Sequence, residues 1–417
     1  MNRLWLFFFP LLFIPNIGLS HQTAFGTLEV SDWLIVPFII LLLIAPSAKY
    51  EQHSRRFNPL LWGFLGWALL STLSIHFRYQ YISDIPVLVG CGLKLARLVL
   101  YTLASLLIAR KLSDPRVRTE WLWSLLIALL VLSVGLLASK GDASAQPTDA
   151  LGGYKSYNII IVSQAILCTY IAGWWIDSGG SRRWNLSAVL VVGFAICSVL
   201  LSSSLTTHGR GGWVAFIAGF GYIFVKKTQN LKIVIMIVVI GSASILAYEA
   251  LPTFKSLVDL TLLPTETSGS QSVDDGGRIA TWAHELPKLI NSPLLGTGFY
   301  HRGDTSGLWE TGSHNFFIQM FLETGIVGGV LVISIFAIAW QQAGFSIVVR
   351  NKIGVATRAS LVTAIAGGMS GEYYYGGIGV LVLLAVLAVA GSLPVSRVVA
   401  PETDPARSIP AKWQTIQ

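Results

Sequence analysis

Charge is what this sequence has least of. Only 12% of its 417 residues are Asp, Glu, Lys or Arg, whereas soluble domains are usually about a quarter charged. With 53% hydrophobic residues, the chain cannot cover itself with solvated surface, which excludes an ordinary soluble enzyme. Cysteine is scarce too: Cys91, Cys168 and Cys197 all fall in apolar stretches, without metal-ligand spacing and poorly placed for disulfides. Internal repeats are missing, as is the inverted symmetry common in transporters. The N-terminus has Arg3 before an apolar run but no clear small-x-small cleavage site, so a retained first helix is expected there.

Long apolar runs are plentiful. A helix crossing a bilayer needs about 20 mostly apolar residues. Candidate spans lie at residues 4–19, 32–44, 59–75, 85–109, 121–138, 157–176, 186–204, 212–225, 231–248, 315–340, 356–369 and 376–393. Fourteen Trp and thirteen Tyr, several near span ends, suit an interfacial aromatic belt. The expected fold is an all-α polytopic membrane protein of about twelve transmembrane helices. It divides into spans one to nine (1–249), a large outer loop (250–314), spans ten to twelve (315–393) and a tail (394–417).

The net charge of +8 is distributed in a way that reports orientation. With the N-terminus inside, nineteen of the 29 Lys and Arg fall in inner segments, eight in outer ones, and Lys94 and Arg97 within span four. Inner loops retain positive charge, so both termini are expected inside. No nucleic-acid surface is implied.

The stretch 250–313 is the one long hydrophilic segment, and a loop of that length in a compact protein is functional or disordered. Its first part is rich in Ser, Gly and Asp. In the second, Ile279, Trp282, Leu286, Leu289 and Ile290 recur at helical spacing. They predict a short amphipathic helix on the membrane interface or over the bundle, followed by a turn at Gly296-Thr297-Gly298.

Three patterns share the outer side: Thr207-His208-Gly209-Arg210-Gly211-Gly212; Gly276-Gly277-Arg278 followed by Trp282, Pro293 and Gly298; and Ser313-His314-Asn315-Phe316 followed by Glu323, Gly325 and Gly328. In this order, straddling the large loop, they resemble the O-antigen ligase/polymerase superfamily. The first motif reads His-Gly-Arg-Gly where many relatives have Ser-Arg-Gly, a departure that bears on the geometry around Arg210. The resemblance covers residues 187–329 in detail.

The resemblance implies a GT-C-like glycosyltransferase in the bacterial inner membrane, working at the periplasmic face. The donor would be a glycan on undecaprenyl diphosphate, and the acceptor lipid A-core (a ligase) or a second carrier-linked glycan (a polymerase). A transporter or flippase is the less favoured class. Charge grows on the leaving diphosphate, and arginine meets it with a fixed bidentate fork. Arg210 and Arg278 are the candidates for that work. His314 is the candidate base for the acceptor hydroxyl, since an unperturbed imidazole titrates near neutrality. Asn315 or Glu323 would orient it, although Glu323 lies nine residues further in and suits a buried cation better.

Lys94 and Arg97, spaced i, i+3 within span four, are candidate diphosphate contacts because membrane-embedded charge is costly; Glu323 and Asp84 are their candidate partners. His208, which lacks a partner pattern of its own, and Trp282 complete the candidate substrate contacts. Each also has a plainer reading as a headgroup anchor, packing residue or surface histidine. With no Asp-x-Asp pair in an outer loop, no metal or other cofactor is expected. The orientation has a direct check: alkaline phosphatase fused after residue 303 should be active, and fused after residue 112 inactive.

Overall fold

The computed structural model describes residues 3–14, 21–23, 26–28, 30–45, 57–78, 85–112, 114–138, 157–178, 182–203, 210–227, 282, 286–298, 315–348, 353–371 and 377–392. These residues are almost entirely helical. In chain order they form α1 (Leu4–Phe8) with a 3-10 turn (Phe9–Phe13), α2 (Val30–Ile44), α3 (Phe57–Arg78), α4 (Ile85–Lys111), α5 (Pro115–Ala138), α6 (Tyr157–Ser178), α7 (Arg182–Ser203), α8 (Arg210–Lys227), α9 (Lys288–Asn291), α10 (Phe316–Val348), α11 (Ile353–Ser370) and α12 (Gly377–Ser392). Among the described residues, four stretches are long and apolar enough to cross a membrane: Cys91–Lys111, Arg116–Leu137, Ile159–Ile176 and Phe316–Gly344. The stretch expected to form the ninth span, 231–248, lies outside the described residues.

The first segment departs from expectation. A helix over 4–19 was expected, but the helical turns end at Phe13 and Ile14 is extended. Pro15 is the local cause, because the residue before a proline is pushed to the extended region, while Pro10, at the start of the 3-10 turn, lacks the N–H that would bond to Leu6. Ser124 on α5 supplies the missing donor, its hydroxyl bonding the Leu6 carbonyl at 2.6 Å. A small antiparallel hairpin follows, pairing His21–Thr23 with Gly26–Leu28, so the architecture is not purely α.

α6 is the central helix. It is buried at every position from 160 to 173, as a helix apolar all round should be. Its buried Gln164 donates to Ser133 on α5 (3.1 Å) and to Ser198 on α7 (3.3 Å). Thr169 meets Thr363 of α11 at 3.0 Å. Such hydrogen bonds hold helices together where lipid supplies no hydrophobic drive.

Side-chain contacts sort the helix ends into two groups. At one end Arg3 pairs with Glu120, the Lys111 ammonium donates to the Ala45 carbonyl, and Arg118 lies within Coulombic range of Tyr170. Arg358 donates to the Trp340 carbonyl at 3.2 Å and stacks over its ring, while Gly173 abuts Ala356. This end gathers the basic residues that the charge pattern assigns to one side.

α10 is not one continuous helix. Gly325 has φ 70° and ψ −175°, a region essentially reserved for glycine, and it divides the rod into 316–324 and 326–348. Residues 293–298 fold into the break. Ile326 N–H, which an unbroken helix would aim at Leu322, donates to the Pro293 carbonyl at 2.8 Å; Thr297 N–H takes the Leu322 carbonyl at 2.8 Å and Gly298 N–H the Glu323 carbonyl at 2.9 Å. A side chain at Gly325 would strike the Leu294 carbonyl. Gly325→Ala should therefore lower stability by about 1–3 kcal/mol, read as a drop in the melting temperature of the detergent-solubilised protein; an unchanged melting temperature would contradict the strain.

Candidate functional site

The end opposite the basic cluster holds the starts of α8 and α10, two helices that carry motif residues. α8 begins at Arg210, and its first turn lies on α6, where a methyl at Gly212 would meet Ile161. α11 reaches the same level, with Gly367 against Val162 and Ala215. Asn315 closes the ring by donating to the Met369 carbonyl at 3.3 Å. The starts of α8 and α10 therefore stand at one end of the bundle, around the start of α6 and the end of α11. This brings the backbone of Arg210 into the same layer as Asn315, the residue after His314.

Asn315 is set by local chemistry. Its side-chain oxygen accepts from the N–H groups of Phe317 (3.0 Å) and Ile318 (3.2 Å), the N-cap arrangement that satisfies donors left over at a helix start. With its amide nitrogen on Met369, the side chain is committed to structure. It fixes the direction in which the chain carrying His314 enters α10.

Glu323 is 2% exposed and sits eight residues below Asn315, about 12 Å along the helix axis. Its Oε1 accepts from Gln319 Nε2 at 2.8 Å, and Cys91 of α4 lies within Coulombic range. Lys94, half-buried, is one turn further along that helix. Glu323 is thus a buried carboxylate immediately beside the break, not a neighbour of the helix start.

Arg97 has a partner that the sequence reading did not name: it pairs with Asp32 of α2, their side chains 8% and 11% exposed, and the Tyr101 hydroxyl donates to the other Asp32 oxygen at 3.3 Å. Asp84 lies outside the described residues. A guanidinium held by a carboxylate between two apolar helices is a structural tie. The lone acid in an otherwise apolar α2 was the sequence signal for this partner.

Within the stretch expected to form the amphipathic helix, Trp282 and Lys288–Asn291 are the described helical residues. Trp282 and Leu289 are half-buried, and Leu286 and Ile290 are exposed, Ile290 by 78%. Leu294, in the turn that follows, is exposed as well, and exposed apolar side chains suit lipid better than water. Trp282 accepts a backbone bond from Leu286 N–H at 2.9 Å. Arg278, His314 and His208 lie outside the described residues, as does the Arg210 side chain. Among the described residues no cluster of His, Cys, Asp and Glu is arranged to hold a metal ion.

Two features had no counterpart in the sequence reading: the break at Gly325, and the residues of α3 that close over it. Trp67 Nε1 donates to the Thr324 carbonyl at 2.8 Å. The Ser71 hydroxyl reaches the carbonyls of Leu295 (2.5 Å) and Glu323 (2.8 Å). The only hint in the sequence was Thr324-Gly325 inside an apolar run.

The model of the family described as O-antigen ligase matches residues 195–333. Over those residues the chain is similar to that family. The matched region runs from within α7 to beyond the break in α10, and so contains all three motifs. Comparison with curated proteins gives no match. The match supports a ligase- or polymerase-type function.

The Asp32–Arg97 tie is testable on its own. Asp32→Ala leaves a buried guanidinium unpaired and should cost about 3–5 kcal/mol. The double variant Asp32→Leu, Arg97→Met should recover most of that loss in thermal melts; a double variant as unstable as the single one would refute the pairing.

Proposed function

We propose that this protein moves a glycan from undecaprenyl diphosphate to an acceptor hydroxyl at the periplasmic face of the inner membrane, with lipid A-core as the acceptor. The observation that carries the reading is the shared layer of two helix starts, α8 with Arg210 and α10 with Asn315 beside His314. Both present the positive end of a helix dipole on the same side of the bundle, which favours an anion there. A diphosphate leaving group is such an anion.

In this reading Arg210 and Arg278 neutralise the charge that builds on the diphosphate as the anomeric carbon–oxygen bond breaks. His314 removes the proton of the acceptor hydroxyl, which attacks from the opposite face and inverts the centre. Lys94, rising through α4, Trp282 and His208 line the donor, Asn315 holds the approach of His314, and Arg97 braces α4. The chemistry calls for no metal. The parts of the chain follow: spans one to nine over 1–249, a periplasmic loop over 250–314, spans ten to twelve over 315–393 and a cytoplasmic tail over 394–417. The gathering of Arg3, Lys111, Arg118 and Arg358 at the other end supports cytoplasmic termini under the positive-inside rule.

The second reading is a polymerase that joins carrier-linked repeat units of O-antigen or exopolysaccharide. It uses the same groups and differs only in the acceptor. A broken helix is also a transporter trait, but here protein fills the break: the loop and α3 take its backbone groups, which favours an enzyme with a braced site over a moving gate.

Transfer by the purified protein from purified carrier-linked glycan tests the chemistry. Arg210→Ala, Arg278→Ala and His314→Ala should each reduce kcat by roughly 10²–10³-fold while the folded yield is kept. Full activity in all three would remove the site. In a deletion strain, loss of all polymer from lipid A with polymer retained on the carrier identifies a ligase, and a single repeat on lipid A a polymerase.

A further inference from the structure

A loop segment that dips to the depth of Glu323 needs a partner for every backbone polar group, because lipid supplies none. Residues 293–298 meet that demand in two ways. Their N–H groups reach into the α10 break, as described above, and Gly296 N–H closes on the Ser292 carbonyl at 2.9 Å. Ser292 returns its hydroxyl to the Gly296 carbonyl at 2.6 Å. From α3, Ser71 bonds the carbonyls of Leu295 in the foot and Glu323 in α10, and Trp67 bonds that of Thr324.

The Ser71 side chain hydrogen-bonds both the loop foot and the upper segment of α10. It is fully buried, and its single hydroxyl hydrogen lies between two carbonyls on different parts of the chain. Gly296, at φ 68°, packs so closely on the Glu323 backbone that a Cβ would not fit. The foot therefore has one register against α10. Eleven residues before the foot lies Trp282, and eight residues above Glu323 lies Asn315. A slip of the foot changes the height of the Arg278 motif relative to the His314 motif.

We infer that Ser71, assisted by Trp67, is a positioning residue: from α3, outside all three motifs and outside the matched region, it clamps the foot of the large loop into the α10 break and so sets the second motif against the third. This rests on the glycan-transfer reading above. The clamp acts through backbone carbonyls and touches no substrate.

The test uses full-length protein in nanodiscs and three variants, Ser71→Ala, Ser71→Thr and Trp67→Phe. Hydrogen exchange of the peptide covering 292–298 reads the clamp, and steady-state transfer reads the consequence. Ser71→Ala should exchange at least tenfold faster there, with peptides of α6 unchanged, and should lose kcat at least tenfold with little change in KM for the carrier. Ser71→Thr, which keeps the hydroxyl, should restore both; Trp67→Phe should show a smaller effect of the same kind. Unchanged exchange in Ser71→Ala overturns the clamp. Faster exchange with unchanged kcat, or a loss of kcat that only follows a loss of folded protein, overturns the positioning role. A wild-type protein that transfers no glycan would refute the proposed function instead, and the exchange measurement would then decide the clamp alone.

Discussion

The rest of this molecule depends on a hydrogen-bonding constraint at one point: a helix interrupted inside the apolar part of a membrane protein must have its broken backbone bonds made elsewhere. In α10 the interruption is at Gly325, where the backbone takes a conformation closed to other residues. The strands of chain that repair it come from far apart. One is the foot of the large loop, the other is α3. The break is consequently a junction at which three parts of the chain are fixed relative to one another. A continuous helix at this position would have satisfied itself and left the loop unattached.

The same economy of polar groups explains the buried charges. Asp32 and Arg97 neutralise each other between α2 and α4, and Glu323 is held by Gln319 one turn above it. Each is a polar group whose isolation would be expensive in a low-dielectric interior. The Asp32–Arg97 pair ties α2 to α4, and the Gln319–Glu323 bond lies within α10. At those starts the N-cap Asn315 and the first turn of α8 direct two motif-bearing segments into one layer.

Much of the bundle was readable from the chain. Apolar runs marked where helices form, because a helix hydrophobic over its length has nowhere else to go, and described helices lie at the expected positions from α2 to α8 and from α10 to α12. The exceptions have identifiable causes. Proline at position 15 holds Ile14 extended and cuts the first segment short. The apolar stretch around Gly325 reads as uninterrupted because hydropathy is blind to φ. Of the candidate site, the order of the three motifs along the chain was legible, whereas the capping of α10 by Asn315 was not read from it. The commitment of Arg97 to Asp32 was not, since residues 65 apart in sequence come together only when α2 packs on α4.

The sequence by itself determined the class of molecule, the helical segments and the charge asymmetry between their ends, because each follows from local composition and from the cost of placing charge in lipid. It also carried the motif signature of the O-antigen ligase family. Tertiary structure alone decided which charges are silenced by partners, where α10 breaks, and that a serine and a tryptophan on α3 hold the loop in that break. Those outcomes turn on which carbonyls and side chains meet across distant helices, and hydrogen bonds between residues more than two hundred positions apart leave no periodicity for a sequence to display.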